Sequence, residues 1–181
     1  MIAKVAINQR RVLLLDECDL HLLKEHSFSY KRTRGGHGYV KWRAPTGEEC
    51  YLHRMIMRAA EGQIVDHIDG NTLNCVRSNL RFVSEHQNAW NQAKKTPEST
   101  TSRYKGVCID RKLVGRRKPW QVKIRRADGR RVHVGYFASD VEAAYHYDLA
   151  SLAEHGEFGR RNFLPLVTAD LVPRMTESDH G

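Results

Sequence analysis

Cysteine is sparse in this chain of 181 residues, and long apolar runs are absent. The four cysteines lie more than twenty residues apart, so the chain has no CxxC pair of the kind that holds zinc and no indicated disulfide framework. The longest apolar run near the start is the four residues 12–15, and no basic-then-apolar leader opens the chain. We therefore expect a protein of the reducing cytoplasm that is neither secreted nor inserted in a membrane.

Acidic residues are also scarce relative to basic ones. The chain has 21 Asp and Glu against 30 Lys and Arg, which gives a formal net charge of +9. Residues 103–135 alone carry 12 Lys and Arg against 2 Asp, a net of +10, so the rest of the chain sums to −1. A basic excess confined to one segment favours an anionic partner, and a face that is merely solvated is the alternative.

Turn-forming residues and short apolar runs divide the first half of the chain into small elements. The expected strands are residues 4–7, 11–15, 28–31, 38–43 and 49–52, and the expected helices are residues 16–25 and 53–61. The segment 91–102 then turns polar, with Pro97 and no apolar periodicity, which indicates a linker. The predicted domains are a first domain at 1–95, a linker at 96–102, a second domain at 103–165 and a tail at 166–181.

The stretch 65–91, VDHIDGNTLNCVRSNLRFVSEHQNAWN, concentrates the residues that could carry chemistry. Asp66 and His67 stand side by side and are followed by a polar turn that suits a reversal of the chain. After a second short apolar run, Ser84 and Gln87 have the spacing of a helix capping box. The predicted order is strand, turn, strand and helix, which could bring both residues and the first helical turns around one small cavity.

The residue types in this stretch suit hydrolysis of a phosphodiester. Carboxylate and amide oxygens are suitable ligands for a hard cation such as Mg²⁺. The imidazole of His67 can take a proton from water. Taken singly, an Asp-His pair is usually a loop feature and an asparagine is usually a turn residue. The chemical interpretation therefore depends on the ordered set of Asp66-His67, Asn79 and Asn88.

This stretch resembles the HNH endonuclease motif, the ββα-metal fold, in the form carried by phage and intron-encoded nucleases. Its flanks, LHRMIM at 52–57 and SNLR at 78–81, are similar to those of the family as well. The resemblance implies that His67 is the general base, that Asp66 and Asn88 bind the divalent metal, and that Asn79 holds the turn in shape. His86 is a departure, since the family suggests a less reactive residue there.

Two side chains of the predicted helix compete for the second metal-ligand position. A helix turns about 100° per residue, so His86 and Asn88 project roughly 200° apart and cannot both face Asp66. Asn88 follows Asn79 by nine positions, as in the phage-type motif, and is the expected ligand, with His86 as the alternative. An oxygen-rich site suits Mg²⁺, or Mn²⁺, over Zn²⁺.

The second domain has the pattern of three strands followed by one helix. Period-2 alternation places Val122, Ile124, Val132 and Val134 on one face of the sheet, and Lys123, Arg125, Arg131 and His133 on the other. Ser139 and Glu142 have capping-box spacing at the start of the helix. The helix stripe expected to cover the apolar face is Val141, Tyr145, Leu149 and Leu152. The chain as a whole is therefore predicted to be α+β.

This second domain resembles the AP2/ERF DNA-binding domain over nearly its whole length. The matching pieces are YKGV at 104–107, VGYF at 134–137, EAA at 142–144, YDLA at 147–150 and NF at 162–163. The resemblance implies a sheet that enters the major groove of duplex DNA. By position, the contacts fall on Lys105, Arg111, Lys123, Arg125, Arg131 and His133. Lys123 replaces an acidic residue of the plant members and His133 a tryptophan, so no plant target sequence is carried over.

The two resemblances together predict a site-specific endonuclease of double-stranded DNA, similar to phage homing endonucleases and cytoplasmic in a bacterial host. The main alternative is a DNA-binding regulator whose HNH unit no longer cuts, and a purely structural protein is disfavoured by the basic segment. No obligate protein partner is evident. One site per chain favours nicking by a monomer, and double-strand cutting then requires two events or a dimer.

Overall fold

The computed structural model describes residues 1–8, 10–32, 38–94 and 101–163, so most of the expected linker and the whole tail lie outside the described residues. The strands are β1 (Ile2–Asn8), β2 (Arg11–Asp16), β3 (Phe28–Arg32), β4 (Gly38–Arg43), β5 (Glu49–Tyr51), β6 (Ile64–His67), β7 (Leu80–Val83), β8 (Val107–Ile109), β9 (Trp120–Arg125) and β10 (Arg131–Phe137). The helices are α1 (Leu20–Glu25), α2 (Leu52–Ile56), α3 (Glu85–Asn91) and α4 (Asp140–His155). The chain is mixed α+β and divides into two compact units, Met1–Asn88 and Ala89–Gly181.

The described part of the first unit contains three small antiparallel sheets around one core. β1 pairs with β2, β6 pairs with β7, and β4 lies between β3 and β5. Side chains from the N-terminal hairpin, the middle sheet, α2 and the β6–β7 hairpin share this core. Its buried members are Leu13, Leu15, Val40, Leu52, Ile56, Val65, Cys75 and Leu80. The N-terminal residues are therefore part of the packing that supports the 65–91 stretch.

Main-chain hydrogen bonds connect strand β2 to the long loop between β6 and β7. Leu14 N donates to Leu73 O at 2.9 Å, and Cys75 N donates to Leu14 O at 2.8 Å. Arg77 adds a charged connection, because its Nε and Nη2 donate to the two carboxylate oxygens of buried Asp19 at 2.9 and 2.6 Å. Bidentate pairs of this kind fix direction as well as distance. The loop segment from Leu73 to Arg77 is therefore held at both of its ends.

Helix α2 is shorter than the expected helix at 53–61, and that prediction was wrong at its C-terminal end. The chain leaves the helix at Met57, and Arg58 takes a left-handed backbone with φ of 51°. Arg54 bonds the loop that follows, with Nη2 donating to Ala60 O at 2.8 Å and Nη1 donating to Gln63 O. The guanidinium thus supplies hydrogen-bond partners to two carbonyls of the loop that replaces the expected end of the helix. Helix α1 is likewise shorter than the expected 16–25.

The second unit is a three-stranded antiparallel sheet, in the order β10–β9–β8, packed on α4. The predicted apolar face is confirmed: Val122 and Ile124 are buried, and Val132 and Val134 pack against them. Gly106 allows a close approach, since it has φ of 75° and an added Cβ would overlap the ring of Tyr147. Within the described residues, no helix has the length and apolar character needed to cross a membrane.

The helix stripe predicted to cover this sheet was wrong. Val141 and Tyr145 are 52% and 43% exposed, whereas the sheet-facing side of α4 is made largely of small residues. Its buried members are Ala143, Ala144, Tyr147, Asp148, Ala150, Ser151 and His155. A helix with alanines against a sheet can approach it closely, and a search for large apolar residues misses that side. The Ser139 cap is confirmed, because its hydroxyl accepts from Glu142 N at 3.1 Å.

A buried carboxylate anchors the end of the second unit. Asp148 accepts from Asn162 N at 2.7 Å and from Phe163 N at 2.8 Å. Asn162 in turn accepts from Lys105 N at 2.7 Å through its side-chain oxygen. The motif letters YDLA and NF, quoted above for their family resemblance, therefore form one hydrogen-bonded network that closes the unit.

Candidate active site and nucleic-acid interface

The predicted strand, turn, strand and helix are all present in the first unit. Asp66 and His67 end β6, directly across from Arg81 and Leu80 of β7. The capping box at the start of α3 is confirmed in both directions: Ser84 Oγ accepts from Gln87 N at 3.2 Å, and Gln87 Oε1 accepts from Ser84 N at 2.8 Å. These local signals place the two candidate residues at the end of a paired strand, where their direction is fixed by the ladder.

Asp66 is a buried carboxylate with a charged partner. Arg81 Nε and Nη2 lie 3.2 and 3.1 Å from Asp66 Oδ2. The register makes this contact possible, because the two residues are direct neighbours across the antiparallel pair. Arg81 is the last residue of the SNLR flank, for which the sequence indicated no role of its own. The predicted hairpin contained the signal, since pairing the two strands in this register puts the cation beside the carboxylate.

His67 lies in a cluster of rings and is 4% exposed. Its ring centroid is 4.9 Å from that of His53 and 6.3 Å from that of Tyr39. Burial lowers the pKa of His67, and the nearby carboxylates of Asp69 and Asp66 act in the opposite direction. The imidazole is therefore neutral at pH 7, which is the state in which it can accept a proton.

Two further buried groups surround the His67 imidazole. Burial, followed by the charge of His67, lowers the pKa of His53 to about 3. Cys75 Sγ lies 3.8 Å from His67 Nε2, and burial raises the pKa of this thiol to about 12. Both groups are therefore uncharged at neutral pH, so they shape the pocket without adding charge to it. His53 belongs to the LHRMIM flank, and the spacing of Cys75 from the other cysteines gives no signal for a place beside His67.

Asn79 is bonded into the loop that follows His67. Its Oδ1 accepts from Asp69 N at 3.1 Å, and its Nδ2 donates to Asp69 Oδ1 at 2.9 Å and to Asn74 O at 2.8 Å. Asp69 Oδ1 also accepts from Asn71 N at 2.8 Å, which is the side-chain-to-backbone bonding expected of this turn. A residue that holds the turn would make such bonds, and that role for Asn79 remains a prediction.

The candidate ligands on α3 differ in exposure. Asn88 is half-buried in the first turns of the helix, whereas His86 is exposed. Within the described part of the chain, no group of three or more His, Cys, Asp or Glu side chains is placed to hold a metal ion. A set of one carboxylate and one amide, which Asp66 and Asn88 would supply, contains few donors and only oxygens. Such a set fits Mg²⁺, which usually keeps several waters and takes one or two carboxylates plus substrate phosphates.

The candidate nucleic-acid interface is the outward face of the second unit's sheet. The four predicted side chains on this face, Lys123, Arg125, Arg131 and His133, are all exposed. Arg131 lies opposite Arg125, and His133 lies opposite Lys123. Among the described residues, no carboxylate forms an ion pair with the arginines or the lysine. Like charges directly across a sheet oppose each other, so this arrangement is best stabilised by an anion that spans both strands.

A bulge in β10 adds an aromatic residue to this face. The register shifts between His133 and Gly135, so that Tyr136 pairs with Gln121 of the charged side. The Tyr136 hydroxyl donates to Asp110 Oδ2 at 3.0 Å, and its ring lies 4.6 Å from the ring of His133. Strict alternation from the sequence would have placed Tyr136 on the buried side.

The two remaining predicted DNA contacts are placed differently. Arg111 is exposed, in a short helical turn after Asp110. Lys105 points inward, where its Nζ donates to Gln92 O at 2.7 Å and also to Trp90 O. Burial lowers the pKa of Lys105 to about 8. An ammonium group held between two main-chain carbonyls has a structural use that the family pattern did not suggest.

The hairpin that ends in Asp66 and His67 and continues into the capped helix α3 has the arrangement that the HNH resemblance predicts. Residues 50–90 match the family model described as HNH endonuclease, so this part of the chain is an HNH endonuclease domain, a phosphodiester-hydrolysing nuclease. The chain is also 45% identical over 60 residues to "Protein 3.8" of Escherichia phage T7, which covers 30% of this chain and 48% of that protein. It thus spans about half the length of this curated relative. No solved structure matches it.

Proposed function

We propose that this protein is a DNA endonuclease in which the HNH domain cuts and the C-terminal unit binds duplex DNA. The observation that carries the proposal is that Asp66 and His67 stand side by side at the end of β6, inside the segment that matches the family. The exposed cationic sheet of the second unit supports DNA as the substrate, because phosphate contacts supply most of non-specific binding.

In the proposed reaction His67 is the general base. Its neutral imidazole accepts a proton from the water that attacks phosphorus, and the bond from phosphorus to the leaving oxygen breaks. Asp66 and Asn88 would hold one divalent cation, Mg²⁺ or Mn²⁺, with His86 as the alternative ligand. When bound, such an ion supplies charge stabilisation at the phosphoryl oxygens. Asn79 and its loop would keep His67 and Asp66 in their relative positions.

The second unit is proposed to be an AP2-like reader that directs the cut. Its support is the sheet face, on which Arg125 and Arg131 stand side by side and could bond guanine edges or phosphates. A homing role, with cutting at the site that receives the protein's own gene in a bacterial cell, agrees with the resemblance and with a relative in a phage. A monomer that nicks, or a dimer that cuts both strands, would each fit one site per chain.

The burial of His67 gives the alternative function its own support. A general base must reach water, and a residue that is only 4% exposed does so when the groups packed around it move. A regulator that binds DNA through its second unit and does not cut would tolerate a permanently closed site. The two functions predict the same DNA affinity and differ only in metal-dependent cleavage.

The test is cleavage of supercoiled plasmid by the full chain with Mg²⁺, with EDTA as the blank. We expect Mg²⁺-dependent nicking that is lost in Asn88→Ala and mostly kept in His86→Ala, its matched control from the same helix. Loss in His86→Ala alone, or activity with Zn²⁺ but not Mg²⁺, would move the ligand to His86. Tight DNA binding without cleavage under any metal would establish the regulator instead.

A further inference from the structure

A largely buried cation, Arg81, is paired with the carboxylate that the proposed metal would bind. Arg81 donates twice to Asp66 Oδ2, at 3.2 and 3.1 Å. The side chains are 12% and 10% exposed, so water screens the pair little. Their direct opposition across β6 and β7 fixes the contact through the main chain of both strands. The metal-free protein therefore contains a compensated carboxylate and not a bare one.

The positive charge of Arg81 affects the binding of any second cation to Asp66. An uncompensated carboxylate in this position would be costly, so an arginine here stabilises the metal-free fold. A divalent cation bound by the same carboxylate has the same sign of charge as the guanidinium. Two cations a few ångströms apart in a poorly screened place repel each other, and they also share the electron density of one carboxylate.

We propose that Arg81 is an internal counter-ion that keeps the Asp66 carboxylate in place without metal and holds the metal affinity of the DNA-free protein low. This inference rests on the proposed function, since it takes Asp66 as a metal ligand. Phosphate oxygens of bound DNA would supply further negative charge, and this charge would raise the affinity of the site for the divalent ion. Metal binding would then be strongest when substrate is present, which confines the loaded state to the protein–DNA complex.

The inference predicts opposite effects on two properties. Replacing Arg81 with a neutral side chain removes the compensation of Asp66, so the metal-free protein becomes less stable. The same replacement removes the repulsion, so Mn²⁺ binds more tightly, by at least about tenfold. A residue with only a structural role would lower stability without changing affinity. A residue that positions the carboxylate for the metal would, when removed, weaken affinity.

The experiment measures Mn²⁺ binding by electron paramagnetic resonance and thermal unfolding with EDTA or Mn²⁺, in the full chain without DNA. Arg81→Met and Arg81→Gln are the neutral variants, and the glutamine keeps a donor toward Asp66 in case the methionine variant folds poorly. Arg81→Lys keeps the charge and should retain nearly wild-type affinity. The matched control is Arg77→Gln, which breaks the bidentate pair with Asp19 and should lower stability while leaving Mn²⁺ affinity unchanged.

Tighter Mn²⁺ binding by a neutral Arg81 variant, with a lower midpoint in EDTA and a larger rise on adding Mn²⁺, supports the inference. Unchanged or weaker binding in both neutral variants overturns it while Asp66 remains a ligand. Asp66→Asn separates this outcome from failure of the proposed function: if that variant binds Mn²⁺ as well as the wild type does, Asp66 is not a ligand and both proposals fall.

Discussion

Both units contain small antiparallel sheets, but they place their charged and titratable groups in opposite ways. In the HNH-containing unit, Asp66, His67 and His53 are buried. In the C-terminal unit, Arg125 and Arg131 stand exposed on an open sheet. Chemistry on a bond requires groups with fixed direction, and burial also lowers the pKa of His67 and of His53. Recognition of a charged polymer requires accessible charge, and an open face supplies that.

This difference determines what mutagenesis reports in each unit. A change at the buried site alters packing, charge compensation and chemistry together, so stability must be measured alongside rate. A change on the exposed face removes charge with little effect on the fold, and even relieves repulsion between Arg125 and Arg131. The predictions below use this contrast, beginning with the largest effect.

The largest effect is expected for His67→Ala, which should separate the cleavage rate from DNA affinity. We expect the cleavage rate to fall by about 10²–10⁴, the usual cost of losing a general base, while DNA affinity stays nearly unchanged. The rate is measured on supercoiled plasmid and the affinity by gel shift. The rate must be compared with the unfolding midpoint of the same variant, because His67 also packs against His53. A binding constant weakened as much as the rate would remove His67 from this role.

Acid should destabilise the HNH-containing unit through His53. Its folded pKa of about 3 lies below its ordinary value of 6.5. Between these values the unfolded chain binds more protons than the folded one, so the free energy of unfolding falls as the pH falls. The slope contributed by one such group is about 1.4 kcal/mol per pH unit.

The variant that tests this slope is His53→Asn. It should be less stable than the wild type at pH 7, because a packed ring is lost, and should show a shallower loss of stability between pH 6 and 4. Urea unfolding at several pH values measures both. His86→Asn, which changes an exposed histidine of the same unit, should keep the wild-type slope. Equal slopes in all three proteins would mean that His53 is not buried in the neutral state.

Local signals predicted much of the architecture. The strand at 38–43, the predicted residues on both faces of the second unit's sheet and the Ser84 cap are as expected, because alternation and capping depend on neighbours in sequence. Contacts between distant residues were missed. Arg77 binds Asp19 from 58 positions away, and no periodicity reveals such a pair. The covering side of α4 was missed for another reason, since its alanines give a weak apolar signal.

The candidate site shows the same division between local and distant information. Asp66, His67 and the α3 residues were identifiable from order and spacing, and their functional roles remain predictions. Their surroundings were not identifiable, because the rings near His67 come from β4 and α2. Burial also sets the pKa directions, so these could not be derived before the fold was known.

On the exposed face, the double exchange Arg125→Ala with Arg131→Ala should weaken DNA binding by about tenfold or more at moderate salt. Each lost phosphate contact should reduce the slope of log K against log salt by about 0.9. Fluorescence anisotropy with a labelled duplex across a salt series gives both values. The matched control is Arg126→Ala, since Arg126 is paired with Glu154 at 2.9 Å. An unchanged slope in the double variant would place the interface elsewhere.

The smallest effect is expected at Lys105. Its replacement tests whether this residue contacts DNA, as the family pattern implies, or has the structural role that its observed contacts indicate. Its ammonium group donates to the carbonyls of Trp90 and Gln92, so we expect Lys105→Met to cost about 1 kcal/mol of stability and to leave DNA affinity and salt slope unchanged. The folded pKa of about 8 lies below the ordinary 10.5. The unfolded chain therefore binds more protons between these values, and stability should rise with pH there.

Lys105→Met should lose this rise between pH 8 and 10, which urea unfolding can measure against the wild type. Lys123→Met is the control, because Lys123 is exposed on the DNA-facing side and its exchange should weaken binding with little change in stability. The opposite result for Lys105, a tenfold loss of affinity with unchanged stability and pH dependence, would return it to the set of DNA contacts. The inward contact would then be one that DNA displaces, and the contrast between a buried site and an exposed face would no longer hold at this residue.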